Sequence, residues 1–95
     1  MVSEGVVRRA LQRRINSGDY FQIKDFEEEI KHNLGRGQFE KARENVQEIL
    51  FLLRAYDLNA RLLRDYGLLL LKMVRSEMEK SHFTEGLSMS TILVL

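Results

Sequence analysis

Few side chains in this sequence could do chemistry. His32 lies one turn after Glu28 in Glu27-Glu-Glu-Ile-Lys-His32. An i, i+4 pair of this kind can move a proton or share a metal ion. A metal needs at least a third ligand at compatible spacing. None stands at such a spacing, and the second histidine, His82, is remote in sequence. We therefore read Glu28 and His32 as part of a solvated helix face. Gly35-Arg-Gly37 is glycine-rich but has neither a preceding strand nor a following Gly-Lys-Ser/Thr, so it is no phosphate loop. No serine sits in a nucleophile elbow. The chain has no cysteine, which excludes a thiol nucleophile, a disulfide and any thiolate-held metal. We expect no catalytic residue, no metal, no cofactor and no small-molecule substrate.

Charge is more informative than reactivity. The 95 residues carry 15 basic and 14 acidic side chains, and this near-neutral total hides a strong asymmetry. Basic residues dominate the segment 1–24, where Arg8-Arg-Ala-Leu-Gln-Arg-Arg14 concentrates four arginines in two turns. Acidic residues dominate 25–50, including the triplet Glu27-Glu-Glu29. Arg8, Arg9, Arg13 and Arg14 lie beside the apolar stripe Val6, Val7, Ala10, Leu11 and Ile15, so the first helix is basic and amphipathic. Such a face can meet phosphates, anionic lipid or an acidic protein surface, or it can pair internally with the acidic triplet. No aromatic interleaves with the arginines, which argues against stacking on single strands. The following segment is acidic, which argues against a helix-turn-helix.

These groups must be positioned by helices. The chain has no proline, so nothing forbids a helix at any point. At 44% hydrophobic and 31% charged residues, it is too apolar for disorder and too charged for a membrane span. With no apolar run of signal-peptide length, a cytoplasmic or nuclear setting is expected. The first helix is expected from about Ser3, its N-cap, to Ile15. A break follows at Asn16-Ser-Gly-Asp19, with Gly18 at positive φ and Asp19 capping the next helix. The second helix runs from about Tyr20 to Leu34, with Ile23, Phe26, Ile30 and Leu34 on one face. Gly35-Arg-Gly37 ends it, and the third begins near Gln38.

Beyond that point two architectures compete. The stripe Val46, Ile49/Leu50, Leu53, Tyr56, Ala60, Leu63, Gly67, Leu70, Val74 keeps one phase, which favours a continuous helix over about 38–80. A second stripe holds Leu52, Leu62, Tyr66, Leu69 and Met73, and Asp57 or Asn59 could cap a separate helix. Either way the fold class is all-α, a bundle of three or four helices over 1–81. Residues 82–95 form a C-terminal tail, frayed or docked on a partner. Ile49-Leu-Phe-Leu-Leu53 and Leu68-Leu-Leu-Leu71 are apolar around the whole helix and call for burial on every side. More apolar surface than 95 residues can cover implies self-association, as a dimer or larger, or a protein partner. The expected apolar interface is Leu50, Phe51, Leu53, Leu63, Leu70 and Val74.

A short repeat runs through the breaks. Ile15-x-x-Gly18-x-Tyr20-x-x-Ile23 matches Leu34-x-x-Gly37-x-Phe39-x-x-Ala42, as in stacked helical hairpins. The second copy, with Val46 and Ile49-Leu50, resembles the second helix of a tetratricopeptide repeat over residues 37–50. A wider resemblance covers residues 22–71. Gln22-Ile-Lys24, Glu29-Ile30, Leu34, Gly37, Glu40, Ala42-Arg43, Val46, Ile49, Tyr66 and Leu68–Leu71 are similar to the core of Ist1-type relatives of the ESCRT-III membrane-remodelling subunits. Both resemblances imply a non-enzymatic helical protein that binds other proteins, the second in a trafficking or membrane-remodelling assembly. The alternative from composition is a small binder of nucleic acid or anionic membranes acting through the basic first helix.

Overall fold

A computed structural model describes residues 3–81 and shows four α-helices: α1 (Glu4–Arg14), α2 (Ser17–Gly35), α3 (Phe39–Leu53) and α4 (Ala60–Ser81). The protein is thus all-α, a four-helix bundle among the described residues. The proposed tail, 82–95, lies outside them. Helix α2 is the central element: it packs against α3, α4 and α1, while α1 packs more extensively against α4. No helix of the described residues is long and apolar enough to cross a membrane.

Local chemistry sets each boundary. The Ser3 side chain accepts the Val6 amide N–H at the start of α1, as its residue type requires. At the first break the N-cap is Asn16, not Asp19: Asn16 Oδ1 accepts the Asp19 amide at 2.7 Å. Helix α2 therefore starts three residues earlier than expected, with Asp19 in its first turn, where the helix dipole favours a carboxylate. Gly18 lies inside that turn with helical geometry, and Gly37 alone among the described glycines takes positive φ, at 72°. The repeat is real in its burial and not in its turns. Ile15, Tyr20 and Ile23 are buried like Leu34 and Ala42, and Phe39 packs against the same core. Only the second glycine makes an elbow.

The long-helix alternative is not what the chain does. Residues 54–59 break it, and the longest extent of the molecule is 39 Å, short of the roughly 60 Å of a continuous rod. Asn59 starts α4, its Oδ1 accepting the Leu62 amide at 2.8 Å. The segment before it is tied down by Tyr56, whose hydroxyl donates to Asp19 and accepts the Asn16 amide. The break also changes the phase. The buried residues of α4 are Leu62, Tyr66, Leu70, Val74 and Met78, while Leu63 is exposed. Helix α4 thus turns in toward the core on Leu62 and Tyr66 from the second stripe, and the apparent continuity through Ala60, Leu63 and Gly67 is a coincidence of spacing.

One core cluster joins all four helices. Val7 and Leu11 come from α1, and Tyr20, Ile23, Ile30 and Leu34 from α2. Helix α3 adds Ala42, Val46, Ile49 and Leu53, beside the α4 set. Burying such side chains contributes about 1.5–3 kcal/mol each before the entropic cost of ordering them. The apolar runs are not buried on every side as expected. In 49–53 the structure buries Ile49 and Leu53 and exposes Phe51, and in 68–71 it buries Leu70 and exposes Leu68.

Two glycine substitutions should move stability in opposite directions. Gly37→Ala forces a Cβ into the left-handed region and is expected to cost about 1 kcal/mol. Gly67→Ala, at an exposed site inside α4 with open space around a new Cβ, should gain about 0.5–1 kcal/mol. Urea titration of the two variants would check both signs.

Candidate functional site

The most structured polar group of the molecule lies inside it. Glu27 is 3% exposed and is the one charged residue among the buried side chains of the described chain. Its place follows from periodicity: Tyr20, Ile23, Glu27, Ile30 and Leu34 step by three and four along α2 and form a single stripe. Arg8 of α1 approaches as a fork, with Nη2 2.7 Å from Oε1 and Nη1 3.1 Å from Oε2. Tyr66 of α4 donates its hydroxyl to Oε2 at 2.5 Å. Glu4, one turn before Arg8, accepts from its Nε at 3.1 Å. Three helices thus meet on one carboxylate, with charge-assisted hydrogen bonds from two of them.

The electrostatics are consistent with a closed structural network. Burial comes first in raising the Tyr66 phenol far above its ordinary range, and the charge of Glu27 and the hydrogen bond to it act the same way. For Arg8, desolvation opposes the charge, but the hydrogen bond and charge of Glu27, then those of Glu4, outweigh it and raise the pKa. The Tyr56 phenol is also raised, chiefly by its hydrogen bond to Asp19, against the opposing contact with the Asn16 amide. Each proton stays where the fold needs it.

The α2–α3 interface carries a second polar set. Asn45 Nδ2 donates to Glu29 at 3.0 Å, and Asn45 Oδ1 accepts from Asn33 Nδ2 at 2.8 Å. Arg43 lies on α3 with its Nε buried and without a hydrogen-bond partner among the described residues, and its Nη1 is 3.8 Å from Glu40. The acidic triplet therefore splits into three roles. Glu27 is buried, Glu29 bridges to α3, and Glu28 remains at the surface beside Lys31. Glu28 has no bond to His32, whose Nε2 instead lies 3.5 Å from Arg36. Among the described residues no group of three His, Cys, Asp or Glu side chains could hold a metal ion. His82 lies outside them.

The expected binding residues divide in the same way. Of the four arginines, Arg8 is withdrawn from the basic face by Glu27 and Glu4. Arg9, Arg13 and Arg14 are exposed, and Arg14 donates to the Ala10 carbonyl at the end of its own helix. Of the six apolar positions, Leu53, Leu70 and Val74 belong to the core and present nothing to a partner, because the turn at 54–59 folds both helices over α2. Leu50 is half-buried against the same core. Leu63 is 41% exposed and Phe51 73% exposed.

Three further apolar positions outside the expected interface are exposed: Val6, which the sequence placed on the apolar stripe of α1, Phe21 and Leu68. Phe21 stacks edge-on against Tyr20 with centroids 6.0 Å apart. Phe51 closes a shallow, open groove on the outer side of α3 with Glu44, Gln47 and Glu48. Comparison of the chain with protein-family models, with curated proteins and with solved structures gives no match.

Arg8→Met should be strongly destabilising, by about 3 kcal/mol, because it leaves Glu27 buried without its counter-charge. The double variant Arg8→Met/Glu27→Leu should lose less than Arg8→Met alone, a non-additivity that thermal unfolding of the two can measure. Tyr66 gives a pH signature. Its folded pKa lies above the unfolded value, so its contribution is complete below pH about 10 and is lost as pH rises beyond that. Between pH about 9 and 11 the Tm of the wild type should fall more steeply than that of Tyr66→Phe.

Proposed function

We propose that this chain is a non-enzymatic helical module that acts by protein–protein contact, an adaptor or assembly element working through the outer faces of its helices. The observation that carries this reading is Phe51. It is a large aromatic held 73% exposed on a regular helix, in a groove edged by Glu44, Gln47 and Glu48. Aromatic groups surrounded by polar residues are the usual anchors of protein interfaces. The polar networks around Glu27 and Asn45 are taken up by contacts between helices. The binding surface differs from the sequence expectation, since it draws on Phe51 and Leu63 rather than on Leu53, Leu70 and Val74. The resemblance to ESCRT-III-type cores points to a trafficking or membrane-remodelling assembly, and the setting proposed is the cytoplasm or nucleus.

A second reading is favoured by Arg9, Arg13 and Arg14, which stay exposed along one side of α1 after Arg8 is withdrawn. They would serve an anionic surface, nucleic acid or acidic lipid. The two readings separate experimentally. Affinity capture with the wild type and with Phe51→Ser should recover proteins that the variant loses, and identical recoveries would overturn the first reading. Retention on heparin and on anionic liposomes, lost in the triple variant Arg9→Gln/Arg13→Gln/Arg14→Gln with unchanged circular dichroism, would establish the second. A wild type that never binds either would end it.

A further inference from the structure

We infer that the outer face of α3 is the docking site for the outer face of α1 of a second copy of this chain, the helices running antiparallel. This rests on the reading of the protein as an interaction module and names its partner. On α1, Val6, Arg9 and Arg13 are exposed and fall within about 60° of arc, opposite the buried Val7 and Leu11. On α3, Glu44, Glu48 and Phe51 are exposed and span a similar arc, opposite Ala42, Val46, Ile49 and Leu53. The first set steps by three and then four residues, and the second by four and then three. Laid antiparallel, the steps coincide. Val6 meets Phe51, Arg9 meets Glu48, and Arg13 meets Glu44, over about 10 Å of each helix.

The charges on both faces are unspent. Among the described residues Arg9, Arg13, Glu44 and Glu48 form no ion pair, whereas Arg8 and Glu27 satisfy each other inside. Helix α1 is packed on α4 and α2, and α3 on α2, with both sets directed away from that packing. The complementarity therefore has no use within one copy. Between copies it supplies steering and register, and the contact between Val6 and Phe51 removes apolar surface from water. Because the two faces differ, one contact joins α1 of one copy to α3 of the other. It leaves one α1 face and one α3 face open, which either meet each other in a two-fold dimer or take further copies into a chain or ring.

The test is sedimentation velocity of the intact chain over a concentration series at low and high salt. Wild type should show an average mass that rises with concentration above that of the monomer. Its association should weaken about tenfold or more when salt is raised from about 0.02 to 0.5 M. Arg9→Glu/Arg13→Glu leaves both faces acidic, and Glu44→Arg/Glu48→Arg leaves both basic, so each variant alone should be monomeric. Their equimolar mixture should associate again, because each supplies the complement of the other. All four substitutions lie on exposed sites, and unchanged circular dichroism would confirm the fold. A wild type monomeric at about 1 mM in low salt overturns the inference, as does a mixture that stays monomeric. If the wild type is monomeric and Phe51→Ser still loses a foreign partner, this inference falls while the interaction module stands.

Discussion

A buried carboxylate needs partners, and in this protein that need organises the bundle. Glu27 occupies the middle of the central helix, between Ile23 and Ile30, where an apolar residue would be ordinary. Leaving it unpaired would cost several kcal/mol, so α1 and α4 must each bring a donor to the same point. Arg8 and Tyr66 do so from opposite ends of the chain. The apolar cluster around them holds the helices together without direction. The carboxylate adds direction, because a slip of α1 or α4 by one turn breaks hydrogen bonds that nothing else replaces.

Much of this was legible in the sequence, and the failures have physical causes. The all-α class, the Ser3 cap and the Gly37 elbow follow from residue type at a local position, and these the structure keeps. Composition groups Glu27 with Glu28 and Glu29 as one acidic triplet. Periodicity groups it with Tyr20, Ile23, Ile30 and Leu34, and periodicity is the stronger signal. Arg8 follows the same logic. It stands next to Val7 and one turn before Leu11, on the edge of the buried face, while Arg9 and Arg13 point outward.

The turn at 54–59 leaves less trace in the sequence. Apolar residues are so dense from 46 to 74 that a stripe of threes and fours can be drawn straight through a break. What ends α3 is not visible locally, since no glycine or proline stands there. The decisive contacts are distant: the Tyr56 hydroxyl is held by Asp19 and the Asn16 amide, at the far end of α2. Once the chain turns, Leu53, Leu70 and Val74 pass from a supposed interface into the core, and the apolar surplus shrinks to separate side chains such as Phe51 and Leu68. What remains on the outer faces is charge and a few exposed apolar groups.

The packing of α1 against α4 has a consequence for the order in which the protein is made. Helices α2 and α3 are neighbours in sequence and in space, so they can pair as soon as both have left the ribosome. Helix α1 emerges before the other three described helices, yet its main neighbour is the fourth. Until α4 appears, α1 has only α2 to cover its apolar face, and Glu27 lacks its Tyr66. Only when the residues around Val74 and Met78 arrive does α1 gain that cover.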